Sequence, residues 1–144
     1  MRNPLSIFLG LTLCCATLAV GSDKKFLNPP GTKPGASYSQ AVLVDGTVYV
    51  SGQGGEDSGG KIPAAFEGEM KQCLSNIGEI LKTAGMTLAD VVAVQVYLSD
   101  GTLFPAMNKI YREYFKEPRP TRTTVVVAKL VGEGHVEITV TAKK

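Results

Sequence analysis

The segment Val91-Val92-Ala93-Val94-Gln95-Val96-Tyr97-Leu98 is the most diagnostic stretch of this 144-residue chain. It is rich in β-branched residues, which predicts a strand. Its first four residues are apolar on both sides of that strand, and residues 125–128 repeat the pattern, whereas a strand with one face in water should alternate. We therefore expect strands that are covered on both faces.

A helix is predicted on each side of this strand. Before it, apolar residues recur at intervals of three and four, Pro63 suits the first helical turn, and Gly85 is well placed to end the helix. After it, Ser99-Asp100-Gly101 turns the chain into a second helix with one apolar face. The residues that define the two faces are Phe66, Met70, Cys73, Leu74, Ile77, Ile80, Leu81 and Ala84 in the first helix, and Phe104, Met107, Ile110, Tyr111 and Tyr114 in the second.

Two pairs of strands complete the predicted order β-β-α-β-α-β-β, a single α/β domain. Residues 39–44 and 47–51 surround Asp45-Gly46, a strong hairpin signal. Residues 123–131 and 135–142 are predicted to form a second hairpin through a tight glycine turn. Two helices cover only one face of such a mixed sheet, so self-association through the sheet is the economical way to cover the other.

The N-terminal residues have the three-part composition of a secretory signal. Arg2 supplies a positive charge, residues 5–20 form an apolar run, and the small residues Ala19 and Gly21 are spaced as at a cleavage site. The run is shorter than the roughly 20 residues that span a bilayer comfortably, although an uncleaved membrane anchor is the alternative. We predict an exported protein, periplasmic or secreted and without stable membrane association after cleavage, with a signal peptide at 1–21, an extended lead-in at 22–35 and one domain at 36–144.

Charge and cysteine content narrow the possible partners. The formal net charge is +2 and the basic residues are scattered, so no footprint for nucleic acid or a membrane surface is expected. Only Cys73 lies beyond the predicted signal, and its place on the apolar helical stripe favours a buried structural thiol over a reactive one. With His135 as the single histidine, interpreted as a turn-edge residue, neither a metal site nor a Ser-His-Asp triad is expected.

Two charged residues stand out in the predicted final strands. Arg122 has uncharged neighbours after it, so its guanidinium is a candidate for binding a small carboxylate; the alternative is a packed stem whose head reaches water or a structural glutamate. Glu137 is a candidate general base, and structural pairing with a basic residue is its alternative. A tight turn would pair Glu137 with about Ala128, roughly 20 Å along the strand from Arg122. The two could therefore share a site only if they come from different subunits.

Weaker candidates surround the first hairpin and the second helix. Ser51 and Gly52 open the glycine-rich segment 52–60, which can bring backbone N–H groups close to a ligand or can be a plain mobile loop. Tyr38 and Asn108, taken by spacing alone, are more simply structural hydrogen-bonding residues.

Together, motifs along most of the chain beyond the lead-in resemble the RidA/YjgF family of imine deaminases. They occur in order from about Gly35 to Ala142 and are specific as a set. The motifs are Tyr38-Ser39-Gln40-Ala41, Val50-Ser51-Gly52-Gln53, Asn76-Ile77, Ala84-Gly85, 104–111 with Asn108, Pro120-Thr121-Arg122 and Val136-Glu137-Ile138.

The resemblance implies a chorismate-mutase-like α/β fold, a homotrimer with ligand clefts between subunits, and hydrolysis of reactive enamines and imines to 2-keto acids and ammonia. It implies no cofactor. In this sequence Arg122 would hold the substrate carboxylate, and Glu137 would orient or deprotonate the attacking water. The residues implied to line the cleft are Tyr38, Ser51, Gly52, Asn108 and Thr124.

The chain also departs from the family. Thr124 stands where many members carry cysteine, so no thiol mechanism is expected there, and Glu69 replaces a common helix glutamine. The predicted signal is the largest departure, because the usual imines arise in the cytoplasm. Non-catalytic binding of small carboxylates, such as 2-keto acids or amino acids, is the alternative function.

Overall fold

The structure is a computed structural model that describes residues 23–30 and 37–144. The predicted signal peptide lies outside the described residues, as do residue 22 and residues 31–35 of the lead-in. No helix in the described part is long and apolar enough to cross a membrane. The elements are β1 (Lys25–Leu27), β2 (Ala41–Val44), β3 (Thr47–Gln53), α1 (Phe66–Thr83), β4 (Val91–Leu98), α2 (Phe104–Tyr114), β5 (Thr121–Val126) and β6 (Val136–Lys143).

The strands form one six-stranded sheet in the order β1-β2-β3-β6-β4-β5. All neighbouring strands are antiparallel except β4 and β5, which are parallel and are connected through α2. Helix α1 packs on β3, β6 and α2. The predicted α/β domain, with two helices on one face of a mixed sheet, is confirmed.

The core lies between the helices and one face of the sheet, where alternate strand residues are buried. Burying each large apolar side chain contributes about 1.5–3 kcal/mol. A one-residue slip would expose a whole row of them, so the alternation fixes the strand register. The central residues are Val94, Val96 and Leu98 of β4, Val136, Ile138 and Val140 of β6, Leu74, Ile77 and Leu81 of α1, and Met107 and Ile110 of α2.

The predicted turns at Asp45-Gly46 and Gly85 are confirmed. Asp45 and Gly46 have φ of 49° and 69°, as a two-residue hairpin turn requires, and Gly85 has φ of 68° just beyond α1. Pro63 is not in the first turn, and that prediction is wrong. Ala65 is still extended (φ −95°, ψ 135°), so the helix begins only after it.

The last two strands do not form a hairpin, so this prediction and the register drawn from it are wrong. Both β5 and β6 pair with β4, one on each edge, and Glu137 lies opposite Tyr97 rather than Ala128. The glycine turn belongs to a longer loop at 127–135 that carries the chain past β4. The apolar strand β4 therefore takes the centre of this half of the sheet.

Part of the predicted lead-in belongs to the sheet. Lys25–Leu27 forms β1 and pairs antiparallel with residues 41–43 of β2. The sequence predicts extended chain here but not a strand, because the run is only three residues long and is followed by proline and glycine.

The glycine-rich segment 52–60 is held by α1 over its first half. Gly52 is in β3, and the Asn76 side chain donates hydrogen bonds to the carbonyl oxygens of Gly54 (3.1 Å) and Glu56 (2.9 Å). Gly55 is buried so close to α1 that a Cβ would overlap Glu69. The expectation of a mobile loop is therefore wrong for residues 52–56.

The opposite face of the sheet is not covered by a helix from the described residues. Tyr49 is 52% exposed and Val125 41% exposed on this face, and Gln95 and Thr139 lie between them. In the single chain, buried and more exposed residues therefore alternate along β4. The sequence predicts that both faces of this strand are covered, but the described residues do not cover its second face.

Candidate functional site

The predicted site residues fall into two groups on opposite faces of the sheet. Arg122 pairs with Val94 of β4, and Glu137 pairs with Tyr97. Cross-strand partners share a face and successive residues alternate. Arg122 is thus on the helix side and Glu137 on the other side, so the two cannot meet within one chain. The sequence also predicts that the two residues do not meet within one chain, but it does so from an incorrect register and as a distance along the strand.

The Arg122 guanidinium rests on aromatic rings of α2. Its Cζ lies 4.5 Å from the ring centroid of Tyr111 and 5.9 Å from that of Phe104, and its Nη1 donates to Met107 Sδ at 3.8 Å. Such cation–π contacts contribute about 0.5–2 kcal/mol. No carboxylate within residues 23–30 and 37–144 forms an ion pair with Arg122. In the described part of the chain, Arg122 therefore has no structural glutamate partner.

Two buried hydroxyls beside Arg122 have no hydrogen-bond partner in the described part of the chain. They are Tyr111 Oη and Thr124 Oγ1. Burial raises the pKa of Tyr111, and the opposing effect of Arg122 and Arg119 does not cancel it, so this hydroxyl stays protonated. An unsatisfied buried group costs about 1–3 kcal/mol. Atoms of a ligand or of another subunit would relieve that cost.

Asn108 and Arg122 share a cavity of about 340 Å³ between α2 and the start of β5. The residues that line it are Asn108, Tyr111, Arg112, Arg119, Pro120 and Arg122. Arg119 is held by the Glu117 carboxylate at 2.5 Å and by the Phe115 carbonyl oxygen at 3.2 Å. Three arginines line the cavity and only one of them is paired with a described carboxylate, so the cavity carries a net positive charge.

Glu137 lies in a larger groove of about 1130 Å³ between the ends of β3, β6 and α1, together with Tyr38, Ser51 and Gly52. A Cβ on Gly52 would overlap the Glu137 carboxylate, so any larger residue there would displace that side chain. The Ser51 hydroxyl donates to the Ser39 carbonyl oxygen at 2.7 Å, which leaves its lone pairs free to accept. Glu137 has no ion-pair partner among the residues that the structure describes.

Glu69 is a buried anchor of β6 that was not predicted from the sequence. Its side chain is 1% exposed, and its Oε1 accepts from the backbone N–H groups of His135 (2.5 Å) and Val136 (3.2 Å). Its Oε2 lies 2.8 Å from His135 Nδ1. These contacts fix the start of β6, immediately before Glu137. A carboxylate at the edge of an apolar helical stripe was the available signal, but its partners are distant in sequence.

Cys73 is the buried structural thiol that the sequence predicts. It is fully buried, and its Sγ donates to the Gln53 carbonyl oxygen at 3.1 Å. Burial raises the pKa of the thiol well above its usual range, and the charges of Glu69, Glu56 and Glu137 add to that effect. The thiol therefore stays protonated and is a poor nucleophile.

Comparisons with known proteins agree with this fold. A family model described as "Endoribonuclease L-PSP" matches residues 30–144. The chain is 50% identical over 103 residues to the 2-iminobutanoate/2-iminopropanoate deaminase of Capra hircus, which covers 70% of this chain and 75% of that protein. The structure resembles that of RidA from an Antarctic Psychrobacter (TM-score 0.78, 36% identity, 83% of this chain and 99% of that chain). It also resembles E. coli TdcF with bound serine (TM-score 0.77, 30% identity, 83% and 98%). Since the family model spans most of the chain, this protein belongs to the Endoribonuclease L-PSP family, which is the RidA/YjgF family.

Proposed function

We propose that this protein hydrolyses small reactive imines and enamines of the 2-aminoacrylate type to 2-keto acids and ammonia, without a cofactor. The observation that carries the proposal is the Arg122 guanidinium, which is held against aromatic rings and has no carboxylate partner in the described part. A guanidinium presents parallel donors that match a carboxylate, the group that these substrates share. The name of the Capra hircus relative supports the same chemistry, and TdcF binds serine, which is also a small carboxylate.

The proposed site lies between two subunits of a homotrimer. Arg122 and Glu137 occupy opposite faces of the sheet, so a second subunit is needed to bring them together. Association through the helix-free face would also cover Tyr49 and Val125. One subunit contributes Arg122, Asn108 and Thr124, and its neighbour contributes Glu137, Tyr38, Ser51 and Gly52.

In the proposed reaction Arg122 binds the substrate carboxylate, and Glu137 orients a water molecule and accepts its proton. The water oxygen forms a bond to the imine carbon while the electrons of the C=N π bond move to nitrogen. The nitrogen then receives the proton from Glu137 to give a carbinolamine. Glu137 next carries the hydroxyl proton to the nitrogen, the C–N bond breaks, and ammonia leaves as the carbonyl forms. An enamine first tautomerises to the imine. Positioning is sufficient help because the imine is already reactive.

The description of the family model names a different reaction, RNA cleavage. The net charge is only +2 and the basic residues are scattered, so they do not form the continuous basic surface that RNA binding requires. The single histidine, His135, is engaged by Glu69. RNA binding that weakens steeply from low to moderate salt would support that reaction instead.

The test uses purified protein and freshly generated 2-aminoacrylate or a longer imine. We expect faster 2-keto acid formation, which Glu137→Gln should abolish while the affinity for a 2-keto acid is retained. Glu133→Gln is the matched control, because Glu133 is an exposed carboxylate in the loop before β6. No acceleration with any of several amino-acid-derived imines would contradict hydrolysis and leave carboxylate binding as the function.

We also propose that residues 1–21 act as a signal peptide and that the protein works after export, in a periplasm or outside the cell. The charge, apolar run and small residues of this segment support the proposal. N-terminal sequencing of protein recovered from cell fractions should give Ser22 in the exported fraction. Intact protein that starts at Met1 and is confined to the cytoplasm would contradict export.

A further inference from the structure

The cavity beside Arg122 contains more positive charge than one carboxylate needs. Three guanidinium groups line it, those of Arg112, Arg119 and Arg122. Among the described residues only Arg119 has a carboxylate partner, Glu117. Arg112 is exposed and forms no ion pair with that part of the chain. Like charges in one cavity repel, and an anion that enters the cavity would be attracted to both unpaired guanidinium groups.

These groups lie around one small cavity. Asn108, Tyr111 and Arg112 are three and four residues apart in α2, so they share a helix face. The ring of Tyr111 lies against the Arg122 guanidinium at 4.5 Å. Arg112 and Arg122 therefore approach the cavity from the helix and from the strand.

The Tyr111 side chain lines the cavity and contributes a buried hydroxyl beside the arginines. The residue is 3% exposed and lines the cavity, and its Oη has no partner among the described atoms. It is a protonated donor and is suited to an anionic oxygen. The volume of about 340 Å³ falls within the range of small-molecule sites.

We infer that the preferred substrates carry a second carboxylate, as do imines derived from aspartate or glutamate. Arg122 binds the carboxylate next to the imine carbon, and Arg112 binds the side-chain carboxylate. The inference rests on the proposed hydrolysis and adds its substrate class. The bonds formed and broken are those of the same reaction, with one water consumed and one ammonia released.

The test compares kcat/KM for an acidic imine and for 2-iminobutanoate. Amino-acid oxidases generate both imines, and semicarbazide traps what remains. The wild type should prefer the acidic imine, and Arg112→Gln should lower kcat/KM for it by roughly tenfold, the effect of one charge-assisted hydrogen bond. The value for 2-iminobutanoate should stay within about twofold. Lys109→Gln is the matched control, since Lys109 is exposed on α2 and does not line the cavity.

Further outcomes separate this inference from its alternatives. Arg112→Lys should retain part of the preference, and added salt should weaken it in the wild type. An equal effect of Arg112→Gln on both imines, or none, would overturn the inference. So would dissociation of the oligomer by Arg112→Gln without a change in selectivity, because Arg112 would then pair with a carboxylate of another subunit. If the wild type accelerates neither imine, the proposed function itself fails.

Discussion

Replacing Glu69 with alanine should strongly destabilise the protein, because this carboxylate joins α1 to the start of β6. The buried Val136 N–H would lose its acceptor, at a cost of about 1–3 kcal/mol. The His135 ring is 57% exposed, so its contact adds only about 0–1 kcal/mol. The space left by the side chain costs on the order of 1 kcal/mol more, and relief of carboxylate desolvation offsets part of the total. We expect the free energy of unfolding to fall by about 2–4 kcal/mol.

Urea unfolding at a single protomer concentration measures this change, because association would make stability depend on concentration. Glu69→Gln keeps an acceptor for the two backbone N–H groups and a donor towards His135 Nδ1, so it should lose less than about 1.5 kcal/mol. Glu67→Ala, an exposed change in the first turn of α1, should stay within about 0.5 kcal/mol of wild type. Equal stabilities for Glu69→Ala and Glu67→Ala would refute the anchoring role.

Three further predictions concern Gly52 and Tyr111 of the candidate site and Cys73 of the core. Gly52→Ala should lower kcat by roughly tenfold or more with an unchanged melting temperature, because the new Cβ displaces the Glu137 carboxylate; unchanged kinetics would contradict this. Since burial raises the folded pKa of Cys73, the wild type should lose stability relative to Cys73→Ala as the pH rises above about 8.5, by about 2 kcal/mol at about pH 10. Parallel pH profiles of the free energy of unfolding for the wild type and Cys73→Ala would contradict this prediction. Tyr111→Leu should raise KM more than Tyr111→Phe, which keeps the ring under Arg122; equal KM values would rule out the ring's role.

The parts of the fold that were predictable from the sequence depend on local interactions. Asp45-Gly46 and Gly85 require left-handed backbone angles that few residues adopt easily, and both predicted turns are present. The bounds of β4 follow from its β-branched run. The pairing of β5 and β6 with β4 was not predictable in this way, because strand neighbours are chosen by contacts across the whole sheet. A short glycine turn was therefore mistaken for a hairpin.

The candidate site, too, has features that the sequence predicts and features that depend on the whole fold. Arg122 and Glu137 are conspicuous as charges in apolar strands, and the motifs supply their proposed roles. Their placement on opposite faces depends on their registers with β4, which a single sequence does not specify. The partners of Glu69 lie in a loop far along the chain, and the hydroxyls of Tyr111 and Thr124 are notable only because the fold buries them.

Mixing two inactive variants tests the central claim most directly, namely that imines are hydrolysed at a site shared by two chains. Arg122→Ala and Glu137→Gln homotrimers should each lack activity. Subunits unfolded together in equal amounts and refolded should regain about a quarter of the wild-type rate, since one interface in about four then joins an intact Arg122 to an intact Glu137. No activity in the mixture, with both variants folded and trimeric, would contradict the shared site.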